Sequence, residues 1–354
     1  MPHERSAAFG PGRVNLIGEH TDYNQGLALP FAIEQGVTVR ARALATDQPR
    51  VQAHARDLGE RDEFDLDAPA PAEGWRTFVR GTVAELRAAG FPLVPAQLEI
   101  DGDVQRGAGL SSSAALEVAL CLALAELGAE GPPGAWLADT NRVGLARLCA
   151  RVENDWVGAH TGLLDQLASL CGRAGHALLI DFRTLAVEPV ELLLDGWRLV
   201  VLDSGERHSH ARSGYNDRHA ECERACELLG VSSLRDADER AASELPEPLR
   251  RRVRHVIGEN RRVLAAAAAL RNRDLDGFAL LLNASHASLR DDYEISTAAV
   301  ERTVAELLRA GAAGARLTGG GFGGSVLALF APGTEPPPGA HLVRPGPGAH
   351  LLDL

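Results

Sequence analysis

Apolar and polar side chains alternate along several short segments in the first half of the chain. The segment GVTVRARAL at 36–44 alternates as a half-buried strand does, and AQLEIDGDV at 96–104 repeats this pattern. Residues 75–90 lie between them and carry apolar side chains at helical spacing. The segments at 176–185 and 197–205 are short and largely apolar, and we predict that both are strands.

A buried helix is predicted to begin near Ser111 and to end at Gly128. Its apolar side chains fall on one helical stripe that contains Leu116, Ala119, Leu120, Ala123, Leu124 and Leu127. The second half of the chain predicts helices over 214–229, 247–271, 274–289 and 296–310, and a strand over 325–330. This order predicts an α+β protein with two layers in each half. We place a domain boundary near residue 196, between segments 1–196 and 197–354.

The length and charge of the chain restrict its partners. Its 354 residues are enough for one large domain or two ordinary ones, and 45% of them are hydrophobic. The net charge of −12 is spread along the chain, which disfavours nucleic acid and anionic membranes as partners. No apolar run reaches the length of a bilayer span, and the N-terminus lacks an apolar signal segment. The five cysteines form no CxxC pair and are odd in number, which indicates a cytoplasmic setting.

The chain contains no lysine, since all 36 of its basic residues are arginine. A Walker A loop, the ATP-binding site of a protein kinase and a pyridoxal Schiff base each require a lysine amine. The composition therefore excludes three large classes of enzyme.

The segment GRVNLIGEHTDYNQG at 12–26 is rich in different polar side chains. It carries arginine, asparagine, glutamate, histidine, aspartate and tyrosine around a short apolar insert, Leu16–Ile17. So much polarity argues against burial, and an ordinary surface loop rarely needs so many different head groups. Either the segment binds a polar ligand or it is a polar β-hairpin on the surface.

A second segment, RGAGLSSSAALE at 106–117, combines glycines with three serines at the start of the predicted helix. The first turn of a helix offers unpaired N–H groups and the positive end of the helix dipole, which suits a phosphate chain. Serine hydroxyls add donors, and one can reach a magnesium ion. The alternative is a serine-capped helix after a turn, although capping needs only one serine.

The segment LTGGGFGGSVLALF at 317–330 formally contains the G-x-G-x-x-G pattern of a dinucleotide site. That fingerprint must follow a strand and open a helix, whereas these glycines lead into the predicted strand SVLALF. We therefore predict a flat glycine loop that allows close approach of a ligand or of another segment, with a simple turn as the alternative.

Two acidic residues are ambiguous when each is taken alone. Asp165 lies among apolar neighbours in GLLDQLASL, and it is either a helix-start residue or a base held away from water. Glu153 in ARVENDW is either a magnesium ligand or one more exposed charge on a helix.

Taken together and in this order, these segments resemble the galactokinases of the GHMP small-molecule kinase family. GRVNLIGEHTDYNQGLALP is similar to the family's sugar-binding signature, GAGLSSSAALE to its phosphate loop and LTGGGFGGSVLAL to its third motif. Further similar segments are GLLDQL, SGYNDRHAECE, RVRHVIGENRRV and SHASLRDDYEIS, so the resemblance covers nearly the whole chain. It implies an N-terminal domain like the second domain of ribosomal protein S5 and a ferredoxin-like C-terminal domain, with the active site in the cleft between them.

The resemblance also implies roles for individual residues. Asp165 matches the catalytic aspartate, and Arg13 matches the arginine beside it. The sugar-binding residues would be Glu19, His20, Thr21, Asp22, Gly162, Asp165 and Tyr215. The nucleotide phosphates would lie on Gly107, Ala108, Gly109, Leu110, Ser111, Ser112 and Ser113. The magnesium ligands would be Ser113 and Glu153.

The activity implied by the resemblance is ATP-dependent phosphorylation of the anomeric hydroxyl of α-D-galactose, the first committed step of galactose breakdown by the Leloir pathway. Such a transfer requires alignment, neutralisation of charge and an acceptor for one proton, and Arg13 and Asp165 would supply the last two. We expect a cytoplasmic monomer that uses ATP and Mg2+. Two alternatives are a family member acting on a related sugar such as N-acetylgalactosamine, and a galactose- and ATP-binding sensor without turnover.

Overall fold

A computed structural model describes residues 2–46, 48–104, 109–137, 139–207 and 211–353. The strands are β1 (Arg5–Asn15), β2 (Leu27–Ala28), β3 (Pro30–Ala43), β4 (Arg50–Ala55), β5 (Glu60–Asp65), β6 (Ala96–Gly102), β7 (His176–Asp181), β8 (Ala186–Glu191), β9 (Arg198–Arg207), β10 (Ala312–Thr318), β11 (Gly323–Phe330), β12 (His341–Leu342) and β13 (His350–Leu351). The α-helices are α1 (Trp75–Ala88), α2 (Ser112–Gly128), α3 (Asp139–Arg151), α4 (Leu164–Cys171), α5 (Ala211–Leu229), α6 (Glu239–Ala242), α7 (Leu249–Arg271), α8 (Leu275–Asp291) and α9 (Ala298–Arg309). A π-helical turn spans Val152–Val157, and a short 3-10 helix spans Leu234–Asp236.

The strands form one large sheet in the first half of the chain and another in the second half. The first has the order β13-β1-β3-β6-β4-β5, in which β4 and β6 are parallel and the other pairs are antiparallel. The second sheet is antiparallel, with the order β10-β11-β9-β12. A small sheet, β2-β7-β8, lies beside them. Helices pack on each large sheet, which confirms the predicted α+β class with its layers.

Helix α2 is buried on all sides and lies at the centre of the first half. Every residue from Ala114 to Gly128 is buried, so the predicted single apolar stripe is too narrow. Its first turn packs tightly against β1, because a Cβ atom on Gly10 would lie 2.2 Å from the carbonyl oxygen of Ala115. Glycine at position 10 thus allows β1 to pass directly beneath the start of the helix.

Most predicted elements are present with small shifts of their ends. The helix predicted over 75–90 is α1, the helix over 247–271 is α7, and the strand over 325–330 is part of β11. Strand β1 was not predicted, since its sequence RSAAFGPGRVN has neither regular alternation nor a continuous apolar run. Strands in such segments are stabilised by their neighbours in the sheet rather than by local propensity.

The two halves share a core, and the chain end returns to the first sheet. One apolar cluster contains Val14 and Phe31 from the first half together with Phe278 and Leu327 from the second. Strand β13 pairs with β1 at the edge of the first sheet. The boundary near residue 196 stays a prediction. Among the described residues, none of the helices has the length and apolar character that a membrane span needs.

Candidate active site

The polar segment at 12–26, which begins in the last residues of β1, is largely buried, contrary to the expectation drawn from its composition. Its buried polar residues are Arg13, Asn15, Glu19, His20, Thr21 and Asn24. Burial is tolerated because these side chains hydrogen-bond to other parts of the protein, whereas a polar group buried without a partner would be costly. The surface-hairpin alternative is therefore wrong.

Arg13 and Asp165 form a paired contact, although they are 152 residues apart in the chain. Arg13 Nε donates to Asp165 Oδ1 at 2.6 Å, and Nη2 donates to Oδ2 at 2.8 Å. The third nitrogen, Nη1, donates to the carbonyl oxygen of Gly109 at 2.5 Å. The guanidinium thus joins the start of α4 to the loop before α2. Such two-point contact with a carboxylate is specific to arginine, since lysine presents a single point charge.

The carboxylate of Asp165 keeps one acceptor position open among the described residues. A carboxylate offers about four lone-pair directions. Oδ2 accepts from Arg13 and from the Ser111 hydroxyl at 2.5 Å, whereas Oδ1 accepts from Arg13 alone. The side chain of Asp165 remains 26% exposed, and it lines a cavity. Oδ1 can therefore accept one further hydrogen bond from a hydroxyl group in that cavity.

The three serines at the start of α2 have three different environments. Ser111 precedes the helix at a positive φ of 58° and directs its hydroxyl to Asp165 instead of capping the helix. Ser113 hydrogen-bonds to Glu153, and Ser112 lines a separate cleft. The alternative of a simple serine cap is therefore wrong, and the N–H groups of the first turn remain available to an anion.

Glu153 lies in the π-helical turn Val152–Val157 and is 7% exposed, so it is not an ordinary surface charge. Its Oε2 accepts hydrogen bonds from Thr161 Oγ1 at 3.0 Å and from Gln166 Nε2 at 2.9 Å. Burial, followed by the charge of Asp165, raises the pKa of this carboxyl. The side-chain oxygens of Ser113 and Glu153 thus meet at the wall of the cavity.

Glu117 is connected to Glu153 in the cavity wall through Gln166, and sequence reasoning missed it. It is fully buried on α2, and its Oε2 accepts from Gln166 Nε2 at 3.3 Å. Burial raises the pKa of Glu117 well above its usual value, and Glu153 raises it further. The signal was present in the sequence, because an acidic residue in the middle of an apolar helix is rarely unpaired.

Glu19 connects the polar segment to the glycine loop between β10 and β11. Its Oε1 accepts from Gly319 N at 2.7 Å, and its Oε2 accepts from Asn15 Nδ2. The fully buried Arg316 lies 3.4 Å from Oε2. Burial raises the pKa of Glu19, and Arg316 opposes that rise. Arg316 was also missed, because nothing in its local sequence indicates a buried partner 297 residues earlier (316 − 19).

Asp22 lies against Gly162 in the wall of the cavity. A Cβ atom on Gly162 would lie 2.2 Å from Asp22 Oδ2, so only glycine leaves room for this carboxylate. Burial raises the pKa of Asp22 to about 6, and hydrogen bonds from backbone N–H groups oppose the rise. Both residues line the cavity.

Thr21 was predicted to contact the sugar, and the structure corrects this prediction. Its side chain is fully buried, and its hydroxyl lies 2.9 Å from the carbonyl oxygen of Gly18 and 2.7 Å from that of Leu27. It does not line the cavity. We therefore replace the predicted contact with a ligand by a structural role, since the single hydroxyl proton is donated to these two carbonyl oxygens and holds the polar segment in shape.

The glycine loop is a turn between two antiparallel strands and opens no helix, which excludes a dinucleotide fold. Gly319 has a φ of 89°, in the region that favours glycine. A Cβ atom on Gly320 would lie 3.2 Å from the ring of Tyr215. The predicted close approach of another segment is thus confirmed.

These residues surround a cavity of about 250 Å³. The lining residues are Arg13, Asn15, Glu19, His20, Asp22, Ser113, Glu153, Thr161, Gly162, Leu164, Asp165, Tyr215, Gly319 and Gly320. A second cleft of about 860 Å³ lies on the other side of Ser113, which lines both. Gly107 and Ala108 of the predicted phosphate loop lie outside the described residues, as does Arg106. Leu110 packs against the shared apolar core.

Three family models match the chain. The galactokinase galactose-binding signature matches residues 2–43, the GHMP kinase N-terminal domain matches 77–173 and the GHMP kinase C-terminal domain matches 266–339.

The chain also matches named galactokinases and a solved galactokinase structure over most of its length. It is 46% identical to a galactokinase of Mycobacterium tuberculosis over 325 residues, which cover 90% of this chain and 87% of that protein. It is 45% identical to a galactokinase of Streptomyces coelicolor over 332 residues, which cover 90% and 83%. The crystal structure of Lactococcus lactis galactokinase complexed with galactose superimposes with a TM-score of 0.88 and 32% identity, over 99% of this chain and 95% of that one. The chain therefore belongs to the galactokinases of the GHMP kinase family.

Proposed function

We propose that this protein transfers the γ-phosphoryl group of ATP to the anomeric hydroxyl of α-D-galactose. The observation that carries the proposal is the pair of Arg13 and Asp165 in the wall of a small polar cavity, with the Ser111 hydroxyl donating to Asp165 from behind the lining residues. The galactose-binding signature, residues 2–43, contributes Arg13 and also Glu19, His20 and Asp22 to the cavity lining, and the Lactococcus lactis relative was solved with galactose. The cavity volume of about 250 Å³ suits a small polar molecule.

The open acceptor position on Asp165 Oδ1 supports a role in receiving the proton of the attacking hydroxyl. Arg13 is held in place by its second partner, Gly109, and offsets charge that develops on the transferring group. The reaction needs alignment and charge neutralisation more than covalent chemistry, so a rigid pair of this kind is well suited to it.

We place ATP in the larger cleft. Trp75 and Phe78 lie in its wall and offer apolar faces to a base, while Ser112 and Ser113 lead to the free N–H groups at the start of α2. Because Ser113 also lines the small cavity, the phosphate chain and the sugar would meet at this residue.

Ser113 and Glu153 fit a magnesium site, since both provide the hard oxygen ligands that Mg2+ prefers and both line the cavity. Thr161 and Gln166 orient the Glu153 carboxylate by hydrogen bonds. A bound Mg2+ would neutralise charge on the nucleotide phosphates. This protein's own residues, Arg13 and Asp165, would act on the acceptor hydroxyl.

The chain forms both walls of the cavity from its own two halves, which supports action as a monomer. Five free cysteines support a cytoplasmic setting. No described feature favours the two alternatives, a kinase of N-acetylgalactosamine or a sensor without turnover. A sensor in particular would not need the paired contact between Arg13 and Asp165.

A coupled ADP-release assay over a panel of sugars tests the proposal, with wild type and Asp165→Asn measured in parallel. We expect wild type to prefer galactose strongly over glucose, because a misplaced hydroxyl leaves buried polar groups unpaired. Asp165→Asn should lower kcat by roughly 10²- to 10⁴-fold, the usual contribution of a positioned base, with little change in galactose binding.

The matched control is Asp155→Asn, an exposed carboxylate on the neighbouring π-helical turn, which should keep full activity. Full turnover by Asp165→Asn, or equal kcat/KM for galactose and glucose in wild type, would contradict the proposal.

A further inference from the structure

A row of hydrogen bonds lies behind the imidazole of His20. Its Nε2 is 3.1 Å from the carbonyl oxygen of Gly320, and its Nδ1 is 2.7 Å from the hydroxyl of Tyr23. The Tyr23 hydroxyl is 2.8 Å from that of Tyr293, which is 3.1 Å from Cys222 Sγ. These contacts join the polar segment, the glycine loop, helix α5 and the segment after α8. His20 and Gly320 face the small cavity, whereas the other three residues do not line it.

The direction of every proton in this row is fixed by one group. The Gly320 carbonyl can only accept, so His20 Nε2 must carry the proton. A neutral imidazole then has a bare Nδ1, which accepts from Tyr23. The Tyr23 hydroxyl donates its proton to His20, so its oxygen accepts a hydrogen bond from the Tyr293 hydroxyl. The Tyr293 oxygen in turn accepts from the Cys222 thiol.

The surroundings of His20 favour this neutral, ordered form. His20, Cys222 and Tyr293 are 4%, 2% and 0% exposed, respectively. Burial, followed by the neighbouring His255, lowers the pKa of His20 to about 3. The Asn24 side chain donates to the His20 carbonyl oxygen at 2.9 Å and lies 3.6 Å from Cys222 Sγ, so the row returns to its starting residue.

All three tyrosines of the chain surround this ring. The ring centroids of Tyr215 and Tyr293 lie 4.8 Å from that of His20, and the centroid of Tyr23 lies 5.8 Å away. The Tyr215 ring faces the imidazole at a tilt of 35° and restricts its rotation. Tyr23 and Tyr293 add hydrogen bonds, which orient the ring as well as confining it.

We propose that Tyr23 and Tyr293 are positioning residues for sugar recognition, because they fix His20 as the tautomer that directs an Nε2–H donor toward the Gly320 carbonyl. The proposal rests on the proposed function. A substrate hydroxyl that approaches from the cavity can share the Nε2–H of His20 with the Gly320 carbonyl in a three-centre hydrogen bond and donate its own proton to that carbonyl. A single hydroxyl is then recognised both as an acceptor and as a donor. The opposite tautomer would present two acceptors side by side and could not make both contacts.

The test compares galactose with its 2-, 3-, 4- and 6-deoxy analogues as substrates of wild type, Tyr23→Phe and Tyr293→Phe. In wild type, removal of one particular hydroxyl should cost most in kcat/KM. Tyr23→Phe should raise the KM for galactose by about tenfold, since it leaves a buried acceptor unpaired, with kcat nearly unchanged. The ratio of kcat/KM for galactose to kcat/KM for that one analogue should be smaller in Tyr23→Phe than in wild type. It should decrease less in Tyr293→Phe, because Tyr293 acts on His20 through Tyr23.

A uniform loss across all four analogues would show a general structural defect and would overturn the proposal. Matched controls come from α5, where Cys226 lies one turn from Cys222. Cys226→Ala should leave the analogue pattern as in wild type. Cys222→Ser retains a donor and should stay closer to wild type than Cys222→Ala does.

An independent measurement is 15N NMR of the imidazole nitrogens, with His20 assigned from its loss in His20→Gln. We expect a protonated Nε2 and a bare, hydrogen-bonded Nδ1, and the Nδ1 resonance should move in Tyr23→Phe. A proton on Nδ1 in wild type would overturn the proposal. If wild type did not phosphorylate galactose, the proposed function would fail, and the NMR measurement would still decide the tautomer of His20.

Discussion

The two concave regions of the molecule are built in different ways. The small cavity is lined by residues from both halves of the chain, and most of its polar atoms already have protein partners. The larger cleft is lined, among the described residues, by positions between Val37 and Leu116, all from the first half. Many of these positions are partly exposed, as Trp75, Phe78 and Ser112 are.

This difference separates specificity from affinity. A cavity of fixed donors and acceptors can reject a molecule with one misplaced hydroxyl, because each unmade hydrogen bond leaves a buried group unpaired. A wide cleft with apolar walls and a helix start binds through area and charge, so it tolerates small changes. We therefore expect substitutions in the small cavity to have sharp effects and those in the cleft to have graded ones.

The largest effect is expected for Arg13→Lys. Lysine cannot hold both oxygens of Asp165 and the Gly109 carbonyl at once, so kcat should fall by roughly 10²- to 10³-fold. Steady-state kinetics with saturating galactose and ATP measures this. The control is Arg40→Lys, whose ion pair with Asp101 is solvent-exposed and should matter little. A fall of less than threefold would show that the paired contact is not required.

The second-largest effect is expected for Gly162→Ala. Its φ is compatible with alanine, but the new methyl group would overlap the Asp22 carboxylate. We expect the KM for galactose to rise by roughly 10- to 100-fold, the cost of moving a close-packed group, while the KM for ATP stays constant. The comparison is Gly144→Ala on α3, where a Cβ atom meets open space. Equal KM increases for both substrates would remove the distinction between cavity and cleft.

The small cavity should also respond to pH. The pKa of Asp22 is raised to about 6, so this carboxyl is ionised above pH 6 and gains a proton as the pH falls through that value. If the ionised form accepts from sugar hydroxyls, the KM for galactose should increase by about tenfold between pH 7 and pH 5. Measurement of the galactose KM across this pH range tests this expectation. In Asp22→Asn, the galactose KM should not change between pH 7 and pH 5. A galactose KM that does not change between pH 7 and pH 5 would exclude Asp22 as an acceptor.

The smallest effect is expected in the larger cleft. Trp75→Ala removes one apolar wall and should raise the KM for ATP by about three- to tenfold, the value of one aromatic contact, without changing the KM for galactose. Leu280→Ala on α8, which is 69% exposed and far from the cleft in sequence, is the control. A larger effect on galactose than on ATP would place the nucleotide elsewhere.

Local sequence patterns predicted the elements and motifs well. Helices α1, α7 and α9 follow from apolar spacing, and the start of α2 follows from glycine and serine residues before an apolar run. Roles were harder to assign. Asp165 and Glu153 were ambiguous in isolation, and Thr21 was given a ligand contact that its buried hydroxyl does not make. The ambiguity at Asp165 and Glu153 and the wrong contact for Thr21 have one cause. A local sequence pattern does not show what a side chain faces after folding.

The sequence by itself determined the class of the fold, the absence of lysine chemistry and the family resemblance, since these depend on residue identity and short-range order. Only the tertiary structure decided the partners of the site: Asp165 for Arg13, 152 residues away, and Gly319 for Glu19, 300 residues away. It also decided that the polar segment at 12–26 is buried. The physical reason is that burial of a polar group is favourable only when a distant partner completes its hydrogen bonds, and that partner is brought near by folding alone.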